Sequence, residues 1–165
     1  MLRALPLLFL AGCPLGPKDS NPISWDDTSS ISDDTSDSNV DICGDTAAFD
    51  TWALPMTKAS DGGTLVFTVT DANPSPPDKG DNIWTIALST AAGDPVGDAT
   101  VSLAPFMPEH GHGTNPATVP TTGDGAGTYT SDTFDLFMGG FWQLTVSASG
   151  PSGNDSMVIN LCIEA

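Results

Sequence analysis

Between residues 65 and 163, apolar side chains recur at every second position, in short runs cut by glycine and proline. That period buries a face only if each run is a β-strand. In residues 65–70, Leu65, Phe67 and Val69 share a face; in residues 82–89, Trp84, Ile86 and Leu88 do. Residues 99–103 form a third run, with connections at residues 71–80, rich in proline, and at residues 93–97. Residues 117–120 follow, restricted by Pro120 to a sheet edge, then residues 127–130 and 133–138. After a tight Gly139-Gly140 turn, residues 141–148 point Trp142, Leu144 and Val146 inward. The last run, residues 156–163, sets Met157, Ile159, Leu161 and Ile163 on one face and Cys162 on the other. No helical repeat competes. About seven short strands joined by such turns predict an all-β, immunoglobulin-like β-sandwich, with the Trp84 and Trp142 strands at its centre. Ahead of them, residues 45–54 read either as one helical turn capped by Asp45, with Phe49, Trp52 and Ala53 inward, or as an irregular lead-in.

The first 41 residues are of another kind. Residues 1–12 carry Arg3, a short apolar run and then small residues, the layout of a secretory signal and too short for a membrane span. Leu10-Ala11-Gly12-Cys13 resembles the lipobox of bacterial lipoproteins. That resemblance implies cleavage before Cys13, acylation of this cysteine (palmitate among the chains) and anchoring to a membrane outside the cytoplasm. The plainer alternative is an ordinary signal peptide followed by an incidental cysteine. Of three cysteines, acylation of Cys13 leaves an even pair, and in an oxidising periplasm or cell exterior Cys43 and Cys162 are expected to form a disulfide. Without CxxC or Cys/His spacing, a metal-ligand role for them is the weaker reading.

Residues 13–41 hold isolated apolar residues, Ile23, Trp25, Ile31 and Val40 among them, in a polar sequence, too little apolar area to offset ordering, and so predict a disordered tether. Repulsion among Asp26, Asp27, Asp33, Asp34 and Asp37 extends it. Residues 33–41 superficially resemble a calcium loop but lack the mid-loop glycine and closing glutamate of an EF-hand. The folded domain is therefore expected at residues 42–165. With 4 basic against 21 acidic residues, the chain offers no basic face for nucleic acid or for anionic lipid head groups.

Chemistry concentrates in Pro105-Phe106-Met107-Pro108-Glu109-His110-Gly111-His112-Gly113, which holds both histidines of the chain. In an extended segment His110 and His112 share a face, and Gly111 and Gly113 let the backbone bend to bring both imidazoles together. Met107, spaced by Pro108, adds a thioether, and Glu109 is placed to orient a histidine N–H from outside the ligand set. Imidazole plus thioether suits copper, with zinc the lesser candidate because it does not need the methionines. The bland alternative makes Met107 a gap-filler and both histidines exposed loop residues. No nucleophile elbow, phosphate loop or zincin motif is present, so no enzyme is expected.

Asn82-x-Trp84, Gly93-x-Pro95-Val96, Met107-Pro108-x-His110-Gly111-His112, Gly127-x-Tyr129 and Met138-x-Gly140-x-Trp142 occur in the order and spacing of the YtkA-like family, which is related to FixH-type membrane proteins. The resemblance spans roughly residues 65–163. It implies an extracytoplasmic immunoglobulin-like sandwich with a part in copper handling or respiratory oxidase assembly. It further implies that Met138, before a glycine turn, approaches the histidine loop as a fourth donor. FixH-type proteins carry a transmembrane anchor, where this chain has a lipobox and tether. Two expectations follow: a lipid-anchored lipoprotein that binds copper through Met107, His110, His112 and Met138 and buffers it or hands it on, or a metal-free module that docks another envelope protein.

Overall fold

The computed structural model of the chain describes Cys43 and residues 49–164. The expected leader, the expected lipidation site Cys13, the expected tether and the candidate cap residue Asp45 lie outside the described residues. Within them the regular structure is all strand: β1 (Met56–Ala59), β2 (Leu65–Asn73), β3 (Gly80–Thr90), β4 (Thr100–Met107), β5 (His112–Gly113), β6 (Val119–Gly123), β7 (Thr128–Ser131), β8 (Phe134–Leu136), β9 (Gly140–Gly150) and β10 (Gly153–Ile163).

All pairings are antiparallel, and hydrogen bonding runs β1-β2-β3-β7-β6-β4-β9-β10, with β8 beside β3 and β5 beside β4. The strand β6 belongs to both layers, pairing with β4 at Val119 and Pro120 and with β7 at residues 121–123. Taking β6 with the first layer, β2-β3-β7-β6 faces β4-β9-β10, the four-plus-three order of an immunoglobulin-like sandwich. Of the eight runs read in the sequence, seven are the strands of the sandwich and the eighth, residues 133–138, is the short strand β8; β1 and β5 are not among them. As expected, the Trp84 and Trp142 strands, β3 and β9, are each flanked on both sides.

The inner faces are those read from the period-2 pattern. Leu65, Phe67 and Val69 of β2, Trp84, Ile86 and Leu88 of β3, Trp142, Leu144 and Val146 of β9, and Met157, Ile159, Leu161 and Ile163 of β10 are all buried. Each such side chain contributes about 1.5–3 kcal/mol on burial. One departure is the register shift between Val69 and Asp71, where an extra residue flips the alternation so that Ala72 is the next inward position.

Two expectations are corrected and one open alternative is decided. The third strand does not end at Leu103 but runs to Met107, through Pro105. The carbonyl of Pro105 accepts from Thr114, so its nitrogen faces the same side, between the partners β6 and β5, and the missing N–H costs no ladder bond. Pro120 is not on a free edge but at the point where β6 passes from one layer to the other. Residues 49–54 form no helix and are the irregular lead-in.

That lead-in is tied down at several points. Cys43 is joined to Cys162 by a disulfide, with Cα atoms 5.6 Å apart. The Phe49 ring meets Phe141 edge-on at 5.3 Å. Asp50 and Asn160 exchange hydrogen bonds, the backbone N–H of Asp50 to the Asn160 carbonyl at 2.9 Å and the Asn160 N–H to the Asp50 carboxylate at 2.8 Å. Lys58 of β1 donates to the same carboxylate at 2.8 Å and to the Val158 carbonyl at 2.7 Å. At the next turn Asp155 of β10 accepts from the Ser60 hydroxyl, from both the hydroxyl and N–H of Thr64, and from the N–H of Gly62.

The hydroxyls of Ser60 and Thr64, with the two backbone N–H groups, hold the Asp155 carboxyl well below its ordinary value of 3.8. A depressed folded-state pKa gives stability that is complete above the ordinary value and is lost as pH falls below it. The thermal midpoint of the wild type should therefore fall more steeply than that of Asp155→Asn between about pH 4 and about pH 2, as calorimetry can measure; parallel pH profiles would refute the role given to this carboxylate. The Cys43–Cys162 bridge spans 119 residues of sequence. The Cys43→Ser/Cys162→Ser variant should lose about 2–5 kcal/mol in urea unfolding.

Candidate functional site

At one end of the sandwich β4 doubles back on itself. Met107, its last residue, is the register partner of His112, the first of β5. Residues 108–111 make the loop, in which the N–H groups of His110 and Gly111 both donate to the Met107 carbonyl, at 3.2 and 2.9 Å. Pro108 occupies the second position of that turn, where its fixed φ fits, and Gly111 takes a left-handed φ of 69° to close it. A Cβ on Gly113 would run into the Pro105 carbonyl oxygen, so β5 lies this close to β4 only because the residue is glycine.

Directly opposed residues of an antiparallel pair project to the same face. Met107 is fully buried, and His112 stands beside it, half-buried, at the mouth of the sandwich. His110 is exposed in the turn rather than in a strand, yet its ring centroid lies 5.6 Å from that of His112. The two imidazoles are thus brought together, by the turn at Gly111 rather than by a shared strand face.

A second segment reaches the same place from the other side of the sequence. The Phe137 ring stacks on His112 at 5.4 Å and 25°, and meets Trp142 edge-on at 5.8 Å and 87°. Trp142 is fully buried, and its indole N–H donates to the Met138 carbonyl at 2.9 Å, pinning the turn between β8 and β9. Met138 lies in that turn, two residues beyond the end of β8, half-buried against the core. Glu109 is exposed at the tip of the histidine loop. Sequence reasoning missed Phe137; its only signal was a large apolar residue where a strand pattern runs into Gly139-Gly140.

One atom at this site stands out chemically. His112 Nδ1 is buried and has no hydrogen-bond partner. Among the described residues the other buried side-chain nitrogen in that condition is Trp84 Nε1, in mid-sandwich with the Trp52 and Phe134 rings 5.3 and 5.8 Å from its own. An imidazole nitrogen in this state is costly, by about 1–3 kcal/mol, unless something else satisfies it. Among the described residues no three of His, Cys, Asp and Glu converge as a metal-holding group. A metal here would therefore depend on two imidazoles and methionine sulfur, a soft donor set. A shallow cleft of about 430 Å³, lined by residues 74–78, Cys162 and Glu164, shares no residue with the histidine hairpin.

The fold and the hairpin define an immunoglobulin-like β-domain carrying a Met/His loop at one end. The YtkA-like family model matches residues 59–147, more than half of the chain, and the chain belongs to that family. Neither a curated protein nor a solved structure matches it. The match contains the whole histidine hairpin and the turn that carries Phe137 and Met138, while Cys43, Cys162 and β10 fall outside it.

Proposed function

We propose that this protein is an extracytoplasmic lipoprotein that binds copper as Cu(I), through His110 and His112 with Met107 and Met138 as sulfur donors, and buffers the ion or passes it to a partner. The observation that carries the reading is His112 Nδ1, buried and unpartnered beside a second imidazole and opposite a buried methionine. Thioether and imidazole together favour Cu(I) over harder ions. Acylation at Cys13 supplies the membrane anchor, and the acidic tether lets the domain stand away from the surface.

A second reading, a metal-free module that docks another envelope protein, is favoured by Phe137 and Phe106, which are 45% and 42% exposed near the same hairpin. It expects no metal after native purification and a partner that is lost when the loop is mutated.

Titration of the purified domain with Cu(I) against a chromophoric chelator separates the two. His110→Ala/His112→Ala should weaken binding by at least about 100-fold, since even loss of a group that merely orients a ligand costs 10–100-fold; equal affinity in the two proteins would sink the copper reading. For the anchor, Cys13→Ser should move the protein from the membrane fraction to the soluble fraction and abolish labelling by radioactive palmitate. Unchanged partition would leave the cysteine incidental.

A further inference from the structure

A metal–imidazole bond lies in the plane of the ring, so whatever fixes the plane of His112 fixes where an ion can sit. Two neighbours bear on that plane. His110 belongs to an exposed turn, where its backbone N–H donates to the Met107 carbonyl. Phe137 lies nearly parallel to His112, and is itself braced edge-on by Trp142, whose indole N–H is bonded to the backbone one residue beyond Phe137. A rigid path therefore runs from the core, through Trp142 and Phe137, to the imidazole.

We infer that Phe137 is the positioning residue of this site: its ring sets the plane of the His112 imidazole so that the ring edge bearing the unpartnered nitrogen is turned inward beside Met107. The inference rests on the copper reading, and it assigns work to a side chain that holds no donor atom. It also gives a reason for a phenylalanine left 45% exposed, where burial alone returns little. Stacking between aromatic rings is enough to favour one ring orientation by roughly two- to tenfold.

The test compares wild type, Phe137→Ala, Phe137→Leu and Phe137→Tyr in two measurements. In the metal-free protein, the carbon-bound protons of His112 should give one set of NOE signals to its strand partner Met107 that Tyr keeps and that Ala and Leu change, a readout that moves only if the imidazole turns. In Cu(I) competition with a chelator, Ala and Leu should bind roughly two- to tenfold more weakly while Tyr stays near wild type, with thermal midpoints nearly level because the side chain is so exposed. The inference is overturned if the His112 signals are the same in Phe137→Ala, if they move but the affinity does not, or if Leu restores affinity by bulk alone. A wild type that takes up no Cu(I) defeats the copper reading itself. The His112–Met107 NOE signals then decide alone whether Phe137 sets the ring plane.

Discussion

The ladder between β4 and β9, running from Thr100↔Ser149 to Phe106↔Gln143, is the interaction on which both the sandwich and its candidate site depend. It joins the two strands whose inward residues, Val101 and Leu103 on one and Trp142, Leu144 and Val146 on the other, form much of one wall of the core. One residue beyond its last pair stand Met107 and Trp142, both fully buried, and from these two points the chain makes the excursions that meet at the rim. After Met107 it turns back to bring in His112; just before β9 the turn at residues 137–139 brings in Phe137. A slip of one residue in this ladder would exchange every inward and outward side chain and carry the histidine hairpin away from the aromatic pair. Register, more than any loop contact, is what assembles the site.

The parts of the fold that were legible are those where one face of a strand is buried and the other is not. Leu65, Phe67 and Val69, or Trp84, Ile86 and Leu88, can be read inward because burial imposes the alternation directly. What escaped depends on partners distant in sequence. Nothing local in Thr70 announces that an extra residue will be accommodated there and turn Ala72 inward. Pro105 reads as a strand breaker, and is harmless only because β4 has a gap between β6 and β5 on the side its nitrogen faces. The segment Met56–Ala59 is too short and too polar to declare itself and becomes a strand by pairing with β2. The candidate site shows the same division. Its histidine loop could be found from donor content alone, whereas Phe137 enters only because β8 and β9 place it there.

Several of the residue patterns that carry the family likeness prove to be devices of folding. Asn82, fully buried, uses its side-chain amide to bind the carbonyls of Asp78 and Gly80 at 2.8 and 2.7 Å, closing the turn that opens β3. The Tyr129 hydroxyl donates to the Val96 carbonyl at 2.8 Å and accepts from the Ala99 N–H at 3.1 Å, clasping the crossing from β3 to β4. Two other patterns, one around Met107 to His112 and one around Met138 to Trp142, meet in space although about 30 residues separate them. Their convergence at one rim is what distinguishes this end of the domain from the rest of its surface.

The bonds made to β10 by the lead-in, by β1 and by the turn after it have a consequence beyond holding the two ends of the domain together. The outward backbone groups of that strand are taken in turn: the Ser156 carbonyl by the Asp61 N–H, the Val158 carbonyl by Lys58, and both the N–H and the carbonyl of Asn160 by Asp50. An open row of such groups is a template on which a neighbouring molecule can add a strand, the first step toward aggregates. Here the template is already used by the chain itself, and a lysine and an aspartate stand across it. Many copies crowded side by side would find no open row of backbone groups along this edge.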